Sequence, residues 1–182
     1  MEFTKNHIVR WLVRHRDNVT LKTSAMANCL VARGRRHDNS YTDATETQLF
    51  IKFLSAKTEE DRTHYKEVLD KVHRNNNDYY PDYFEQGLME MNLLQLMEYI
   101  AEKMTTYEES VEEKDRTTDG YISAVLDPLQ GQVDLKLRRL IINTVLYTID
   151  SVGYTKSMIE KKNRREGWDT EEVKKDGEVE EE

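Results

Sequence analysis

An imidazole stands directly beside a carboxylate in the segment Arg36-His37-Asp38-Asn39-Ser40. Gly34 precedes this segment, so we expect His37 and Asp38 to lie where a helix ends and the backbone bends. At such a bend, adjacent His and Asp side chains can both reach one divalent cation if other helices supply further ligands. The same dipeptide also occurs without a metal, as a histidine at a helix C-terminus followed by a turn aspartate. The two residues alone leave both roles open.

A tyrosine-rich segment follows about forty residues later and reads Asn77-Asp78-Tyr79-Tyr80-Pro81-Asp82-Tyr83-Phe84-Glu85-Gln86-Gly87. The asparagines at its start compete for backbone hydrogen bonds and should end the preceding helix. Pro81 biases the residue before it away from helical geometry. We interpret Tyr79, Tyr80 and Tyr83 as packing residues whose hydroxyls are hydrogen-bonded or hydrated. An aromatic surface that binds a base or a partner is the alternative.

Helices must position both segments, because no stretch of the chain alternates convincingly enough for a strand. The 182 residues include 34% charged residues but only 2 prolines and 7 glycines, which favours a helical domain over a sandwich or barrel. We predict a single all-α domain over residues 1–165 and an acidic, disordered tail over residues 166–182. The helices are expected over about residues 5–16, 20–36, 43–54, 58–74, 92–109 and 134–150, with a short segment at 122–126.

Local signals support several of these boundaries. Asn18 or Thr20 is expected to cap the second helix, so the first two helices are predicted to be separate. Thr58 with Asp61 resembles a capping box that opens the fourth helix. Cys29 is the one cysteine of the chain, lies within the second helix and is predicted to be buried. Because it cannot form an intrachain disulfide, a reducing cytoplasm is the simplest interpretation.

The net charge of -8 is unevenly distributed, because the last residues are acidic and the first forty are basic. A positive surface near His37 would suit a phosphate-bearing ligand, although a solvated helix face gives the same pattern. The acidic total does not favour nucleic-acid binding. No apolar run approaches the roughly 18 residues of a membrane span, and the N-terminus lacks a secretory core. The basic residues are Arg10, Arg14, Arg16, Lys22, Arg33, Arg35 and Arg36.

Several short segments are informative as an ordered set. They are Asn6-His7-Ile8, Arg36 through Ser40 with Glu46, His64 through Leu69 with His73, Asn77 through Gly87, Met91 through Glu98, Asp119-Gly120 and Ile142-Asn143-Thr144. Over about residues 4–148, this order resembles a family of small, mostly uncharacterised helical proteins from phages and bacteria that is related to the HD-domain metal-dependent phosphohydrolases. The resemblance implies an HD-like helical bundle in the cytoplasm of a bacterium or an infected host cell.

The chain departs from that family at three places. The family reads His-His-Pro-Glu-His-Phe where this chain has the segment from Tyr79 to Phe84, so three imidazoles are replaced by phenols. It has a lysine at the position of Tyr41, and tends to have Asp-Trp where this chain has Glu102-Lys103. Neutral tyrosine has a pKa near 10 and is a poor ligand for zinc, manganese or magnesium. A two-metal site is therefore not expected.

The resemblance implies a one-metal site with His7, His37, Asp38 and Glu102 as ligands and Asp38 as the catalytic carboxylate. Two imidazoles and two carboxylates suit manganese, iron, cobalt or zinc, with open positions for water and a phosphate oxygen. The metal would lower the pKa of that water and bind the phosphoryl group.

Three cations are candidates for holding the phosphate: Arg35, Arg36 and Lys103. The expected ligand is a nucleotide or another small phosphorylated compound.

Several of these residues also have a purely structural interpretation. His7 could cover the apolar face of the first helix beside Trp11. Glu102 lies one turn after Glu98 and could be an ordinary solvated acid. His73 stands near a helix end, where its cation would interact with the dipole.

Two functions follow. The first is a metal-dependent phosphohydrolase with one metal ion. The second is a catalytically degenerate relative that keeps the fold and works as a binding or accessory protein. A phage is one source that this second hypothesis allows for the protein. The sequence predicts neither the substrate nor the oligomeric state.

Overall fold

The chain is built from α-helices joined by short loops. The computed structural model describes the backbone of residues 4–166 and the side chains of residues 4–153. No strand occurs within residues 4–166, so the all-α prediction is confirmed for this part of the chain. The predicted tail, residues 166–182, lies outside the described residues except for its first member. The helices are α1 (Lys5–Gly34), α2 (Ala44–Ser55), α3 (Glu59–Asn76), α4 (Leu93–Ser110), α5 (Thr118–Leu126) and α6 (Leu135–Glu166).

The first two predicted helices are a single helix. α1 runs without interruption from Lys5 to Gly34, so the predicted boundary at Asn18 or Thr20 is wrong. Asparagine and threonine inside a helix cost less than about 1 kcal/mol each relative to alanine. No proline or glycine lies before Gly34 to add a larger penalty. The final helix, α6, is likewise longer than predicted, and its last residues, 158–166, are mostly good helix formers.

Two of the other helix starts have side-chain caps, and the one at Thr58 was predicted. The Thr58 side chain accepts a hydrogen bond from the backbone N–H of Asp61 at the start of α3. The Asn92 side chain accepts from Leu94 and Gln95 at the start of α4, and Gln95 returns a bond to the Asn92 backbone. α3 ends at Asn76, within the asparagine run that was expected to stop it.

The hydrophobic core forms where α4, α5 and α6 meet the tyrosine-rich segment. Tyr79 and Tyr80 are buried in it, which confirms their predicted packing role. Tyr83, however, is 49% exposed. The remaining core members are Leu88, Leu96, Tyr99, Ile100, Met104, Val125, Leu126, Leu129, Ile141 and Val145.

Cys29, Leu93 and Leu140 are also exposed. Cys29 lies on α1, none of whose residues is buried, so the prediction that it is buried is wrong. Leu93 is the first residue of α4 and precedes the core layer. Leu140 lies on α6 beside the buried face and is 52% exposed.

Two contacts between helices bring the chemically interesting residues together. The last turns of α1 pack against α4, and α2 packs against α3. The short 3-10 turn at Asn39–Thr42 connects α1 to α2 and lies against the end of α3. The end of α1 therefore meets the middle of α4 and the end of α3. No helix within residues 4–166 is long and apolar enough to cross a membrane.

Candidate functional site: a histidine–carboxylate network

The backbone bends sharply at Asp38, as expected near the end of α1. Asp38 has a φ of 61°, which makes it the one non-glycine residue with a positive φ among residues 4–166. Aspartate tolerates this left-handed conformation because its short side chain can hydrogen-bond locally. The bend directs the side chains of His37 and Asp38 towards α3 and α4.

His37 is held between two carboxylates of α4. Its Nδ1 lies 3.1 Å from Glu98 Oε1 and its Nε2 lies 3.0 Å from Glu102 Oε2. Glu98 and Glu102 are four residues apart, so they occupy the same face of the helix one turn apart. The hydrogen bond to Glu102, with the bond to Glu98 and the charge of Asp38, raises the pKa of His37 to about 9. The ring therefore donates from both nitrogens as an imidazolium at neutral pH.

Asp38 connects His37 to a second histidine. Its Oδ1 accepts a 2.8 Å hydrogen bond from the Tyr79 hydroxyl and lies 3.3 Å from His73 Nε2. The hydrogen bond with His73, followed by that from Tyr79, lowers the pKa of the Asp38 carboxyl. Burial opposes protonation of His73, but its hydrogen bonds to Asp38 and Glu46 outweigh this and raise the pKa of His73.

Glu46 is a fully buried carboxylate on the far side of His73. Its Oε2 lies 2.8 Å from His73 Nδ1 and accepts from the Ser40 hydroxyl, and its Oε1 accepts from the Asn76 amide. A buried carboxylate needs such partners, since an uncompensated charge in the interior is very costly. Sequence reasoning assigned Glu46 no role. It shares a helical stripe with Phe50 and Phe53, and an acid on an apolar stripe was a signal of a buried partner.

Arg33 connects the network to the tyrosine-rich segment. Its Nε donates to Glu98 Oε2 at 2.5 Å, while its two terminal nitrogens donate to Asp78 at 2.5 and 3.2 Å. Gln95 also donates to Asp78, at 2.7 Å. Burial opposes ionisation of Asp78, but these hydrogen bonds from Arg33 and Gln95 lower its pKa. Sequence reasoning counted Arg33 only as part of a basic surface.

Two tyrosines complete the network. The Tyr80 hydroxyl donates to Glu102 Oε1 at 2.9 Å, and the Tyr79 hydroxyl donates to Asp38. Burial, with the neighbouring carboxylates, raises the pKa of both phenols far above the ordinary value. Both therefore stay neutral donors. Tyr41 stacks on His73 with ring centroids 4.3 Å apart.

A pocket of about 730 Å³ opens beside this network. His37, Asp38 and Glu102 line one part of the pocket, and Lys103 is one of its cationic residues. Lys103 Nζ lies 4.7 Å from the centre of the Tyr80 ring, and burial lowers the pKa of this lysine. The other lining residues used below are the cations Lys66 and Arg74 and the apolar residues Leu30, Met97, Ile100 and Ala101.

Only one of the three predicted phosphate-binding cations lines the pocket. Lys103 lines the pocket, as expected for a ligand-binding residue. Arg35 and Arg36 are exposed at the end of α1 and do not line it; Arg36 Nε donates to the backbone carbonyl of Ala32. Arg74, which sequence reasoning did not select, lines the pocket from the last turn of α3.

Three of the four predicted metal ligands meet, and the fourth does not. His37 Nε2 lies 3.0 Å from Glu102 Oε2 and 3.5 Å from Asp38 Oδ1. His7 lies in the first turn of α1, beside Thr4, whose hydroxyl oxygen is 2.8 Å from His7 Nδ1. Since α1 has 30 residues and rises about 1.5 Å per residue, some 45 Å separates its two ends.

His37 and Glu102 are hydrogen-bonded to each other in this structure, and His37 and Asp38 form an ion pair at 3.5 Å. Among the side chains of residues 4–153, no group of three or more His, Cys, Asp and Glu has the arrangement of a preformed metal site. By donor type, however, His37, Asp38 and Glu102 fit a divalent ion, because one imidazole and two carboxylates give a mixed nitrogen and oxygen set.

The fold and the site define a helical protein with a buried histidine–carboxylate network at the wall of an open pocket. The model of one protein family, described as a family of unknown function (DUF5662), matches residues 4–143. The chain belongs to this family. Comparison with curated proteins finds no match, and comparison with solved structures finds none either.

Proposed function

We propose that the protein hydrolyses a small phosphate ester with one divalent metal ion held by His37, Asp38 and Glu102. The observation that carries the proposal is the convergence of these three side chains at the wall of the pocket. Manganese, iron, cobalt and zinc all accept such a donor set, and catalytic sites keep positions open by using few protein ligands. An HD-like bundle is part of the same proposal, with two ligands at the end of one helix and the third on a later helix.

The residues around the three ligands hold them in place. When bound, the metal ion would polarise a phosphoryl oxygen and lower the pKa of a water molecule. Tyr79 and His73 fix the Asp38 carboxylate from the protein side, and Tyr80 does the same for Glu102. Asp38 is half-exposed, so it can accept a hydrogen bond from the attacking water. The water oxygen would bond to phosphorus, and the ester oxygen would leave with a proton.

The rest of the pocket suits a small phosphorylated organic molecule. Lys103 and Arg74 line the pocket together with the network and would bind the phosphate, Arg74 with bidentate geometry. Met97, Ile100 and Ala101 form an apolar wall from α4. Pockets that combine an apolar wall with a few convergent polar groups are typical of small-molecule sites. A nucleotide, with an apolar base face and an anionic phosphate, has both halves of this chemistry.

A non-catalytic binding protein is the second candidate, and one observation favours it. Both ring nitrogens of His37 and both oxygens of Glu102 already have partners within the protein. Such a network is stable without a metal ion. In this alternative the cations of the pocket hold an anionic ligand, and the network only supports the pocket wall. Tyr79 and Tyr80 are buried, so an aromatic binding surface built from all three loop tyrosines is not formed.

The first test is metal content of the full chain purified without chelator or metal-affinity resin. Near-stoichiometric manganese, iron, cobalt or zinc is expected in the wild-type protein and in the control His64→Gln, whose histidine is exposed on α3. His37→Gln should lose the metal. Asp38→Asn is a second variant, because its half-exposed carboxylate can be neutralised with less risk to folding.

The second test is turnover of a panel of phosphate esters by the metal-loaded protein. Release of inorganic phosphate that is lost in His37→Gln and retained in His64→Gln supports the proposal. If no metal binds even after each cation is added, the hydrolase is wrong. Binding of a phosphorylated compound that is lost in Lys103→Met and kept in His37→Gln would then establish the binding protein.

A further inference from the structure

The helix α1 exposes an apolar stripe along most of its length. No residue of α1 is buried, although the helix has 30 residues and includes a tryptophan. The stripe begins with residues three and four positions apart and continues at intervals of seven, as in helices that pack against another helix. Val9, Val13 and Leu21 lie on other faces of the helix. The exposed members of the stripe are Ile8, Trp11, Leu12, Val19 and Met26.

The stripe continues into the contact that α1 makes with its own chain. Leu30 and Arg33 lie further along the same face, and both are half-buried. Leu30 lines the pocket, and Arg33 bonds to Glu98 of α4. The described part of the chain thus covers the stripe only in the last turns of α1. About 37 Å of helix before Leu30 presents the same apolar face to solvent.

A second apolar surface lies on the main body of the protein and includes part of the pocket wall. Met97 and Ala101 of α4 and Thr144 of α6 all line the pocket. Leu140 and Tyr147, one turn away from Thr144 on α6, are 52% and 75% exposed. These residues of α4 and α6 form an apolar groove, which we call the α4–α6 groove. Both the stripe and the groove are larger exposures than single scattered apolar residues.

The charges around the two surfaces are complementary. Residues 5–34 carry six Lys and Arg against one Asp, whereas residues 93–153, which include both helices of the groove, carry eleven Asp and Glu against six Lys and Arg. Opposite potentials favour contact between α1 and this part of the body. Two α1 helices paired with each other would instead bring like charges together. Residues 44–76, which include another exposed apolar patch on α2, carry six charges of each sign and offer no such attraction.

We propose that two copies of the chain form a symmetric dimer in which the α1 stripe of each copy docks into the α4–α6 groove of the other. A second copy is the occupant because one chain carries both complementary surfaces, and a two-fold axis then satisfies both at once. The partner's helix would lie against the wall formed by Met97 and Ala101 and would close one side of the pocket, but the dimer does not depend on hydrolysis.

The mass of the full chain in solution tests the dimer. Light scattering after size-exclusion chromatography should give twice the 21.6 kDa of one chain. Leu12→Glu places a charge in the stripe and should give the mass of one chain. Leu21→Glu makes the same change on the opposite face of α1 and should remain dimeric. A wild-type mass of one chain at micromolar concentrations, or a dimeric Leu12→Glu, would overturn the proposal.

Mixing variants tests which surface the helix occupies. Tyr147→Glu, in the α4–α6 groove, should be monomeric by itself. Mixed with Leu12→Glu, it should form a heterodimer, detected by native mass spectrometry, because one stripe and one groove remain intact. If Tyr147→Glu dimerises like the wild type, the groove is not the docking surface and the proposal fails. Leu12 and Tyr147 are both exposed, and matching circular-dichroism melting curves check that each variant is folded.

Discussion

The Nε2 atom of His37 lies 3.0 Å from Oε2 of Glu102, although 65 residues separate the two along the chain. The contact exists because the last turns of α1 pack across α4, where Glu98 takes the other ring nitrogen. His37 is thus charged and held in one orientation before any ligand arrives. A ring held in one orientation can bind a metal ion after it loses a proton, or it can remain charged and contribute a fixed cation to the pocket.

Replacing Glu102 by glutamine should lower the pKa of His37 from about 9 towards its ordinary value near 6.5. The amide keeps a hydrogen-bonding group but removes the negative charge that favours the imidazolium. Titration of the His37 ring protons by NMR in the metal-free protein measures the change. Glu109→Gln is the control, since Glu109 lines the same pocket and is exposed. An unchanged titration in Glu102→Gln would show that Glu102 does not hold the proton.

The stability of the metal-free protein should fall as the pH rises above neutrality. The pKa of His37 is about 9 in the folded protein and near 6.5 when unfolded, so its contribution is complete below 6.5 and disappears as the pH passes 9. We expect a loss on the order of 2 kcal/mol, allowing for solvent screening. Urea unfolding at pH 6 and pH 9.5 measures it.

His37→Gln should show a smaller change between the two pH values, and this difference isolates His37 from other groups that titrate. At acid pH the free energy of unfolding changes with pH in the opposite direction. The pKa values of Asp38 and Glu102 are lowered in the folded protein, so their contribution is present above the ordinary carboxyl pKa and is lost as the pH falls through the lowered values. Equal slopes for wild type and His37→Gln above pH 6 would contradict the assigned charge.

Removing Arg33 should destabilise the protein strongly. Its guanidinium bonds to Glu98, whose side chain is 7% exposed, and to Asp78. Arg33→Ala leaves the Glu98 carboxylate without this guanidinium, which typically costs about 3 kcal/mol or more. Arg36→Ala, one turn away and exposed, should change the free energy of unfolding by less than about 0.5 kcal/mol. Urea denaturation of both variants gives the comparison, and equal effects would remove Arg33 from the network.

Local chemistry explains why much of the secondary structure could be predicted. The caps at Thr58 and Asn92 and the end of α3 depend on side chains within three residues of the helix end, and these are visible in sequence. The continuity of α1 was missed because Asn18 and Thr20 have weak preferences that a long helix overrides. The exposure of Cys29 has a different reason. An apolar stripe on a helix predicts a packing face, but it does not predict which molecule covers that face.

The site could be predicted only in part, for a different reason. His37, Asp38 and Glu102 were selected from a family resemblance, and the structure brings them together. Glu46 and Arg33 were missed because their partners come from distant segments. Whether an acid is a solvated charge or a buried acceptor is decided by tertiary contacts, and no local rule supplies these. The separation of His7 followed directly from the misjudged boundary within α1.

The Tyr79 hydroxyl should contribute more to stability than any other phenol of the loop, because it contacts both His73 and Asp38, the neighbour of His37. It donates to Asp38 Oδ1 and lies 2.9 Å from His73 Nε2, and its ring is buried. Tyr79→Phe keeps the packing but leaves both polar partners short of one hydrogen bond, which should lower the free energy of unfolding by about 1–2 kcal/mol. Tyr83→Phe is the matched control, since Tyr83 is 49% exposed, and should be nearly neutral. Without the phenol, the Asp38 carboxylate loses a donor and its pKa should rise, which NMR titration of its side-chain carbon would detect. A Tyr79→Phe protein as stable as the wild type, with an unchanged Asp38 titration, would show that His73 alone positions Asp38.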